Sequence, residues 1–139
     1  MVEFNITTDD PEDVAIHFPA DGLTMSLPVT KLGDNFIRLE AVPFATEAAN
    51  LCDIVEVKMR TDGSYEFVRV VQPSNWRVYE LFLSREEAES PQTEQFCSRL
   101  HSIGCYWERN FGGCLLIGVP PDLDVDPNDI LAQVRSPIQ

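Results

Sequence analysis

Alternating apolar and polar residues recur along the chain as far as Leu83, and this period of two predicts strands. In LTMSL the apolar residues Leu23, Met25 and Leu27 share one face, with Thr24 and Ser26 on the other. The same alternation is found in VAIHF, FIRLEAV, DIVEVKMR, YEFVRVV and WRVYELFL. A chain with this pattern cannot be mainly helical, because a helix buries every third or fourth residue instead.

The turns between these strands are also readable. DIVEVKMR places Val55, Val57 and Met59 on one predicted buried face, and TDGS follows it directly. An Asp-Gly pair between two alternating stretches favours a tight hairpin turn with positive φ angles. We therefore predict that DIVEVKMR and YEFVRVV pair as a hairpin.

After Leu83 the apolar period changes to that of a helix. Phe96, Leu100 and Ile103 recur at positions i, i+4 and i+7, with Ser90 as the predicted N-cap and Gly104 as the stop signal. CYWERN and CLLIGV then predict a second hairpin, whose return strand is apolar on both faces and therefore central.

These elements predict a single α+β domain over residues 1–139, with residues 1–12 as an acidic tail. Antiparallel amino-terminal strands are followed by a strand, helix, hairpin and helix, which is half of a ferredoxin-like unit. A chain of this length buries roughly 65 to 70% of its unfolded surface, so no metal or disulfide is needed for stability. The predicted core residues are Leu39, Val55, Val57, Phe67, Phe96, Leu100, Leu116 and Ile117.

Net charge is the most unusual property of the composition. The chain has 23 acidic residues against 10 Lys and Arg, which gives a formal charge of -13. Such a field repels nucleic acids and anionic membranes and attracts cationic partners, although acidity also serves solubility alone. The amino terminus lacks the basic start and apolar run of a secretory signal, and no apolar stretch approaches membrane-spanning length. We predict a soluble, cytoplasmic protein.

The four cysteines are predicted to be reduced, packed thiols. Cys52, Cys97, Cys105 and Cys114 stand beside apolar residues, and none of them forms a CxxC pair. Without a secretory context or zinc-ligand spacing, neither disulfides nor a structural zinc site is favoured. We predict no metal and no cofactor.

The acidic stretch DLDVDPND resembles the start of a calcium loop, with Asp122, Asp124 and Asp126 at alternate positions. That loop requires Gly at its sixth position and Glu at its twelfth, and here these positions hold Pro127 and Gln133. Asp126 is better explained as a helix N-cap, with Pro127 at the first helical position.

No standard catalytic motif is present, since HExxH, GxSxG, GxxxxGK[ST] and GxGxxG are all absent. Cys97 and His101 are four residues apart on the predicted helix, a spacing that could activate a thiolate, but Cys97 lies beside the buried stripe. His17 is expected on the outer face of a strand, and Glu47 with Asp53 form a conceivable acid and base pair. We predict that the chain is not an enzyme, and the alternative is a small enzyme or ligand-sensing module of an undescribed class.

The segment from Phe36 to Val71 resembles a family of small bacterial domains of unknown function. The matching features are the Pro-Phe-Ala turn at Pro43, the Asp53 that precedes an alternating strand, and the hairpin that follows. The later stretches LHSIGCYWE and LLIGVP also fit, so that the resemblance covers roughly Val14 to Leu131. It implies a turn in which the Phe44 ring is buried, and it implies no catalytic residue.

In size, acidity and lack of catalytic motifs the chain is also similar to bacterial immunity proteins, which bind and block a cognate toxin. This similarity implies that the partner is a toxin with a basic surface. We expect the chain to contact it through an acidic segment, which speeds association, and an aromatic anchor, which slows dissociation. The predicted partner-binding residues are Glu86, Glu87, Glu89, Trp107, Glu108 and Phe111.

Overall fold

The computed structural model describes residues 11–110 and 113–135 and divides into two compact units, Met1–Asn75 and Trp76–Gln139. We call them the barrel unit and the sheet–helix unit. The barrel unit contains five strands: β1 (Glu12–Phe18), β2 (Leu23–Lys31), β3 (Phe36–Leu39), β4 (Ile54–Met59) and β5 (Tyr65–Gln72). The sheet–helix unit contains β6 (Arg77–Phe82), α1 (Arg85–Ala88), α2 (Pro91–Ser102), β7 (Tyr106–Asn110), β8 (Cys114–Val119) and α3 (Pro127–Arg135).

The five strands of the barrel unit pair in chain order and close into a barrel. Each consecutive pair is antiparallel, whereas the closing pair, β1 with β5, is parallel, with Ile16 opposite Tyr65 and His17 opposite Glu66. An up-and-down series with an odd number of strands brings its first and last strands together in the same direction. The parallel pair is therefore a consequence of strand number.

Alternation along each strand fills the barrel interior. Ile16, Val29 and Leu39 have no measurable exposure, and Phe18 stacks on the half-buried Phe67 with their ring centroids 5.2 Å apart. The predicted hairpin between β4 and β5 is confirmed, and its turn places Gly63 at φ +89°, a conformation that favours glycine.

The connection from β3 to β4 departs from the expectation for its aromatic residue. Ala49 and Leu51 of this loop are buried, and Thr46 donates a hydrogen bond to Asp21 in the β1–β2 turn. Phe44, however, is 52% exposed, so the expected burial of its ring is wrong. The buried apolar side chains of this connection are instead Ala41, Val42, Pro43, Ala49 and Leu51.

In the sheet–helix unit, α2 begins and ends as the sequence predicts. The Ser90 side chain accepts a hydrogen bond from the Thr93 N–H, Pro91 is the first helical residue, and Gly104 follows the helix at φ +94°. This positive φ ends the helix at low cost because glycine has no Cβ. Ile103 is 37% exposed and so is not part of the buried helical stripe.

The three strands of this unit form an antiparallel sheet in the order β6-β8-β7. β8 is central, as its apolar character predicts, and Leu115 and Ile117 belong to the core cluster shared with α2 and α3. Seven of the eight predicted core residues are buried and Phe67 is half-buried; the seven are Leu39, Val55, Val57, Phe96, Leu100, Leu116 and Ile117.

The prediction of a mixed α+β chain is confirmed, and most of its elements are strands. The closed barrel was not predicted. Most of the predicted acidic tail, residues 1–12, lies outside the described residues, but Glu12 is the first residue of β1 and pairs with Val29. Among the described residues, no helix is both long and apolar enough to cross a membrane.

Candidate functional site: two grooves beside helix α2

The acids Glu86, Glu87 and Glu89 lie on and just after the short helix α1. Ser84 caps α1 by accepting a hydrogen bond from the Glu87 N–H at 3.1 Å, and the Glu87 carboxylate accepts one from the Ser84 N–H at 2.9 Å. This reciprocal capping box holds the two acids of the first turn, where the helix dipole favours negative charge.

Two of these three acids are engaged by arginines. Glu87 lies 2.7 Å from Arg135 of α3, and Glu89 lies 3.5 Å from Arg85. The hydrogen bond from the Ser84 backbone and the nearby Arg135 charge hold the pKa of Glu87 below its usual range. Glu86 makes no ion pair with any described residue. Its charge is therefore the one most available to a partner.

Glu86 and Glu87 stand at the rim of a shallow groove between α1, α2 and α3. The groove measures about 290 Å³, and we call it the α1 groove. Leu83, Leu131 and Val134 contribute the apolar part of its wall. Arg135 also lines the groove and pairs with Glu87, so among the described residues the unpaired negative charge beside this apolar wall is that of Glu86. A charged rim around an apolar centre is the composition of a protein-binding surface.

Trp107 lies on the other side of α2, on strand β7. It is paired with Ile117, and cross-strand partners share a face of the sheet, so that its indole projects to the side that carries α2. Trp107 is 38% exposed and lines a second groove of about 760 Å³. This β7 groove is lined by Glu94, Cys97, Ser98, His101, Trp107 and Arg109.

The six predicted partner-binding residues are not gathered on one surface. The α1 groove contains Glu86 and Glu87, and the β7 groove contains Trp107, with no lining residue in common. Glu108 is the cross-strand partner of Leu116 and therefore lies on the opposite face of the sheet from Trp107. Its carboxylate accepts a hydrogen bond from the Tyr106 hydroxyl at 2.8 Å. Phe111, the sixth residue, lies outside the described residues.

Cys97 and His101 both line the β7 groove, as their spacing on one helix predicts. Cys97 is 3% exposed, and its burial raises the pKa of its thiol, although a hydrogen bond with Arg109 and the Arg109 charge act in the opposite direction. A thiol that remains protonated is a poor nucleophile. Burial therefore disfavours the thiolate, which is the form that a nucleophilic Cys97 would need.

The other candidate groups have structural partners. Asp53 is 5% exposed and accepts hydrogen bonds from the Asn50 N–H at 2.8 Å and the Ser74 N–H at 2.7 Å. It therefore fastens the start of β4 to the segment after β5 and does not pair with Glu47 as an acid and base. On the outer barrel face, His17 Nδ1 is 3.0 Å from Thr24 Oγ1.

The DLDVDPND stretch is the start of a helix, as interpreted. The Asp126 carboxylate accepts a hydrogen bond from the Asn128 N–H at 2.9 Å, and Pro127 is the first residue of α3. Over residues 11–110 and 113–135 there is no group of three or more His, Cys, Asp or Glu that could hold a metal ion.

All four cysteines are free thiols, with Cys97 and Cys105 buried and Cys52 and Cys114 half-buried. The short helix α1 and the contribution of Arg109 to the β7 groove were not predicted. A capping-box signature, Ser84 with Glu87 three residues later, was available in the sequence and could have located α1. No local pattern marks Arg109, because a single polar residue on an alternating strand is ordinary.

Together these features define a mixed α+β protein with a closed five-stranded barrel, a three-stranded sheet covered by helices on one face, and two surface grooves. The chain belongs to the family described as Domain of unknown function (DUF4265), whose model matches residues 26–135. This confirms the resemblance to a family of unknown function.

A solved structure also resembles the fold. It is described as a novel crystal structure of a hypothetical protein from Neisseria gonorrhoeae, with 14% identity and a TM-score of 0.58. The alignment covers 91% of this chain and 88% of the other. At this identity the similarity concerns the fold alone. None of the curated proteins matches the chain.

Proposed function

We propose that this protein is an immunity protein that binds and inhibits a cognate bacterial toxin, one that acts on nucleotides or nucleic acid. It blocks the toxin by occluding a cationic active-site cleft and performs no catalysis itself. Its partner is a protein with a basic surface, and neither nucleic acid nor a membrane is bound. The cytoplasm is the proposed location, since toxins of this class act on cytoplasmic targets.

The observation that carries the proposal is the excess of carboxylates. The chain has 23 acidic residues and 10 Lys and Arg, so at least 13 carboxylates have no Lys or Arg of their own even if every cation is paired. Among the described residues the ion pairs each join one cation to one carboxylate. Toxins that act on polyanions present cationic clefts, and a negative surface accelerates association with them.

The proposed contact surface begins at the α1 groove. Glu86 provides unpaired charge beside the apolar Leu131 and Val134, and this combination supports both steering and a longer-lived complex. Glu87 contributes to the partner contact by exchanging its ion pair with Arg135 for one with the partner. Glu89 adds to the charge, whereas Trp107, Glu108 and Phe111 are proposed as secondary contacts. The acids therefore govern the association rate more than the dissociation rate.

The finer fold assignment belongs with this proposal. We infer that the sheet–helix unit is half of a ferredoxin-like unit. Its chain order of strand, helices, two strands and helix supports this, as does the position of β8 between β6 and β7. The single observation in favour of a ligand-sensing module instead is the β7 groove, whose aromatic and polar lining suits a small molecule.

Co-expression with the product of the neighbouring gene tests the function. Cells that express this toxin survive when the wild-type chain is present, and the two proteins co-purify. If protection is absent and the purified chain turns over metabolites in a broad screen, the chain is a small enzyme and not an immunity protein. If the chain binds a metabolite without turnover, the ligand-sensing function replaces the proposal.

A triple substitution, E86Q/E87Q/E89Q, tests the proposed surface. Glutamine at position 87 still completes the capping box, so that α1 is retained while three charges are lost. Association with the toxin slows and its salt dependence becomes shallower, with dissociation little changed. The matched control removes three exposed charges of the barrel unit, D34N/E47Q/D62N. If both triple variants slow association equally, the steering comes from the total charge of the chain and not from the acids of α1.

A further inference from the structure

We propose that the β7 groove is a docking site for an extended peptide segment of a partner protein, which adds as a fourth strand along the side of β7 opposite β8. The inference does not rest on an immunity function, because any partner with a suitable segment would use the same site. The segment carries one large apolar side chain and one carboxylate, two residues apart, on the side that faces α2.

The first reason is the position of β7 in its sheet. β7 pairs with β8 on one side, and no other described strand borders it. Backbone groups on an open strand edge are a template for another strand, and peptides that add in this way gain main-chain hydrogen bonds.

The second reason is that a helix runs beside this edge. Glu94, Cys97 and His101 lie at i, i+3 and i+7, which places them along one face of α2, and all three line the groove. Trp107 and Arg109 are two residues apart on the face of β7 that carries α2. An edge strand with a helix alongside provides a slot in which alternate side chains of an added strand point toward the helix.

The lining defines the chemistry of the segment. The Trp107 indole is 38% exposed, and beside it the buried Cys97 is a small apolar surface, so this part of the groove suits a leucine, methionine or aromatic side chain. Among the described residues Arg109 has no ion-pair partner, and burial raises the pKa of the Cys97 thiol beside it, which favours the neutral form of that thiol. The positive charge of Arg109 is therefore matched by a carboxylate from the segment, since a guanidinium binds carboxylates in paired hydrogen bonds.

The spacing follows from the strand. Because Trp107 and Arg109 are separated by one residue, their partners on an added strand are also separated by one residue and lie on the same face. Glu94 lies on the opposite wall of the groove and repels a second acid. The preferred segment therefore has a single acid in an otherwise neutral or basic sequence, which also reduces its repulsion by the net charge of the chain.

Selection from a display library of random ten-residue peptides, with the full chain immobilised, tests the proposal. Enriched peptides carry an acid and a large apolar residue two positions apart, and backbone amide resonances of Tyr106–Asn110 shift most when such a peptide is added. A library with no enriched peptide would overturn the proposal, as would shifts confined to other elements. No toxin is needed, so failure here leaves the immunity proposal unaffected.

Two variants and one modified peptide sharpen the result. Peptides selected against R109E carry a basic residue in place of the acid. Peptides selected against the milder R109Q show no preference for an acid and none for a base at that position. R85E, which reverses an Arg whose side chain is 90% exposed on α1, leaves the selection unchanged. W107A weakens binding of the selected peptide about tenfold or more, as expected for an interface anchor.

Methylation of alternate backbone nitrogens in the selected peptide distinguishes strand addition from docking by side chains alone. Methyl groups on the nitrogens that face β7 abolish binding, and methyl groups on the intervening ones do not. Equal tolerance of both patterns would rule out strand addition, and an unchanged acid preference in R109E would rule out the role of Arg109.

Discussion

The two units handle the edges of their sheets in opposite ways. The barrel unit closes β1 onto β5, so each of its five strands has a neighbour on both sides. The sheet–helix unit has an open three-stranded sheet, in which β6 and β7 are edge strands. Open edges are sites where other chains can pair, and closure removes them. Among the described strands, those at the edge of a sheet are therefore β6 and β7 of the sheet–helix unit.

Ion pairs show a related difference. In the barrel unit, Lys58 and Arg69 each pair with the glutamate directly opposite on the neighbouring strand, at 3.2 and 2.8 Å. In the sheet–helix unit, the ion pairs of the described residues involve α1, through Arg85 and Arg135. Each exposed pair contributes only a few tenths of a kcal/mol to about 1 kcal/mol. Charges reinforce the barrel wall in one unit and hold a short helix in the other.

Core truncation has the largest expected effect and tests whether the two units are separate. Phe96 and Leu39 are fully buried, one in each unit. We expect F96A and L39A each to lower the free energy of unfolding by about 3–5 kcal/mol. Because the sequence predicts one domain, both variants should shift the same single transition, followed in urea by tryptophan fluorescence and by circular dichroism.

Both tryptophans, Trp76 and Trp107, belong to the sheet–helix unit, whereas circular dichroism follows both units. Transitions that coincide in the two signals support one cooperative domain. If L39A instead leaves the fluorescence transition unchanged while it shifts part of the circular dichroism signal, the prediction of a single domain is wrong.

Local patterns predicted the elements of both units but not the closure of the barrel. The alternation of apolar and polar residues is a local signal, so the sequence alone predicts that Ile16 and Val55 are buried. The pairing of Ile16 with Tyr65 joins distant parts of the chain, and no local pattern specifies its register. Alternation also fails to tell where a core ends along a strand, and Met59, predicted to be buried, is 66% exposed at the end of β4.

The arrangement of the candidate site also depends on contacts that no local pattern specifies. The acids of α1 and the Trp107 side chain lie wholly or partly at the surface, but they line different grooves on the two sides of α2, and this separation depends on helix packing. Arg109 became relevant only when the structure placed it beside Cys97. A site assembled from a helix and a strand is a tertiary property, whereas sequence patterns report which face each element buries.

Removal of the Asp53 carboxylate has the next largest effect, and it concerns the barrel unit. D53A leaves the Asn50 and Ser74 N–H groups without their acceptor, which we expect to cost about 2–4 kcal/mol. The matched variant in the sheet–helix unit is D126A, which loses one helix-cap acceptor and costs about 1 kcal/mol. Urea denaturation measures both, and equal losses would mean that the buried carboxylate has no special role.

Substitution of Gly113 and of Gly63 by alanine compares the reasons for glycine in the hairpins of the two units. A Cβ at position 113 would lie 2.6 Å from the Leu83 carbonyl oxygen, so G113A must displace backbone and costs about 1–3 kcal/mol. At Gly63 a Cβ meets nothing within 4 Å, and the cost of G63A, about 1–2 kcal/mol, comes from φ +89°.

Asparagine separates these two causes, since it tolerates positive φ better than alanine. We expect G63N to be more stable than G63A, and G113N to show no such recovery over G113A. Thermal unfolding of the four variants is sufficient. Recovery at position 113 would show that backbone conformation, and not the contact with Leu83, requires glycine there.

The smallest expected effect concerns Cys52 of the barrel unit, a half-buried thiol, in comparison with Cys114 of the sheet–helix unit. Burial, followed by the Glu40 charge, raises the pKa of Cys52 to about 11 from its usual value near 9. Burial and the charges of Glu80 and Glu108 also raise the pKa of Cys114. The reactive form is the thiolate, so iodoacetamide should modify both slowly at pH 8 in the folded chain.

The same shift makes stability depend on pH in a defined direction. Between pH 9 and 11 the unfolded thiol of Cys52 loses its proton while the folded thiol keeps it, so this contribution is complete below pH 9 and is lost as the pH rises through 11. We expect C52S to lose less stability than the wild type over this window, in urea denaturation at pH 8, 9 and 10. The alkylation rate at Cys52 should rise with pH up to about 11 while circular dichroism shows a folded chain. A rate that levels off near pH 9 would mean that the thiol is solvated and that the loop from β3 to β4 does not shield it.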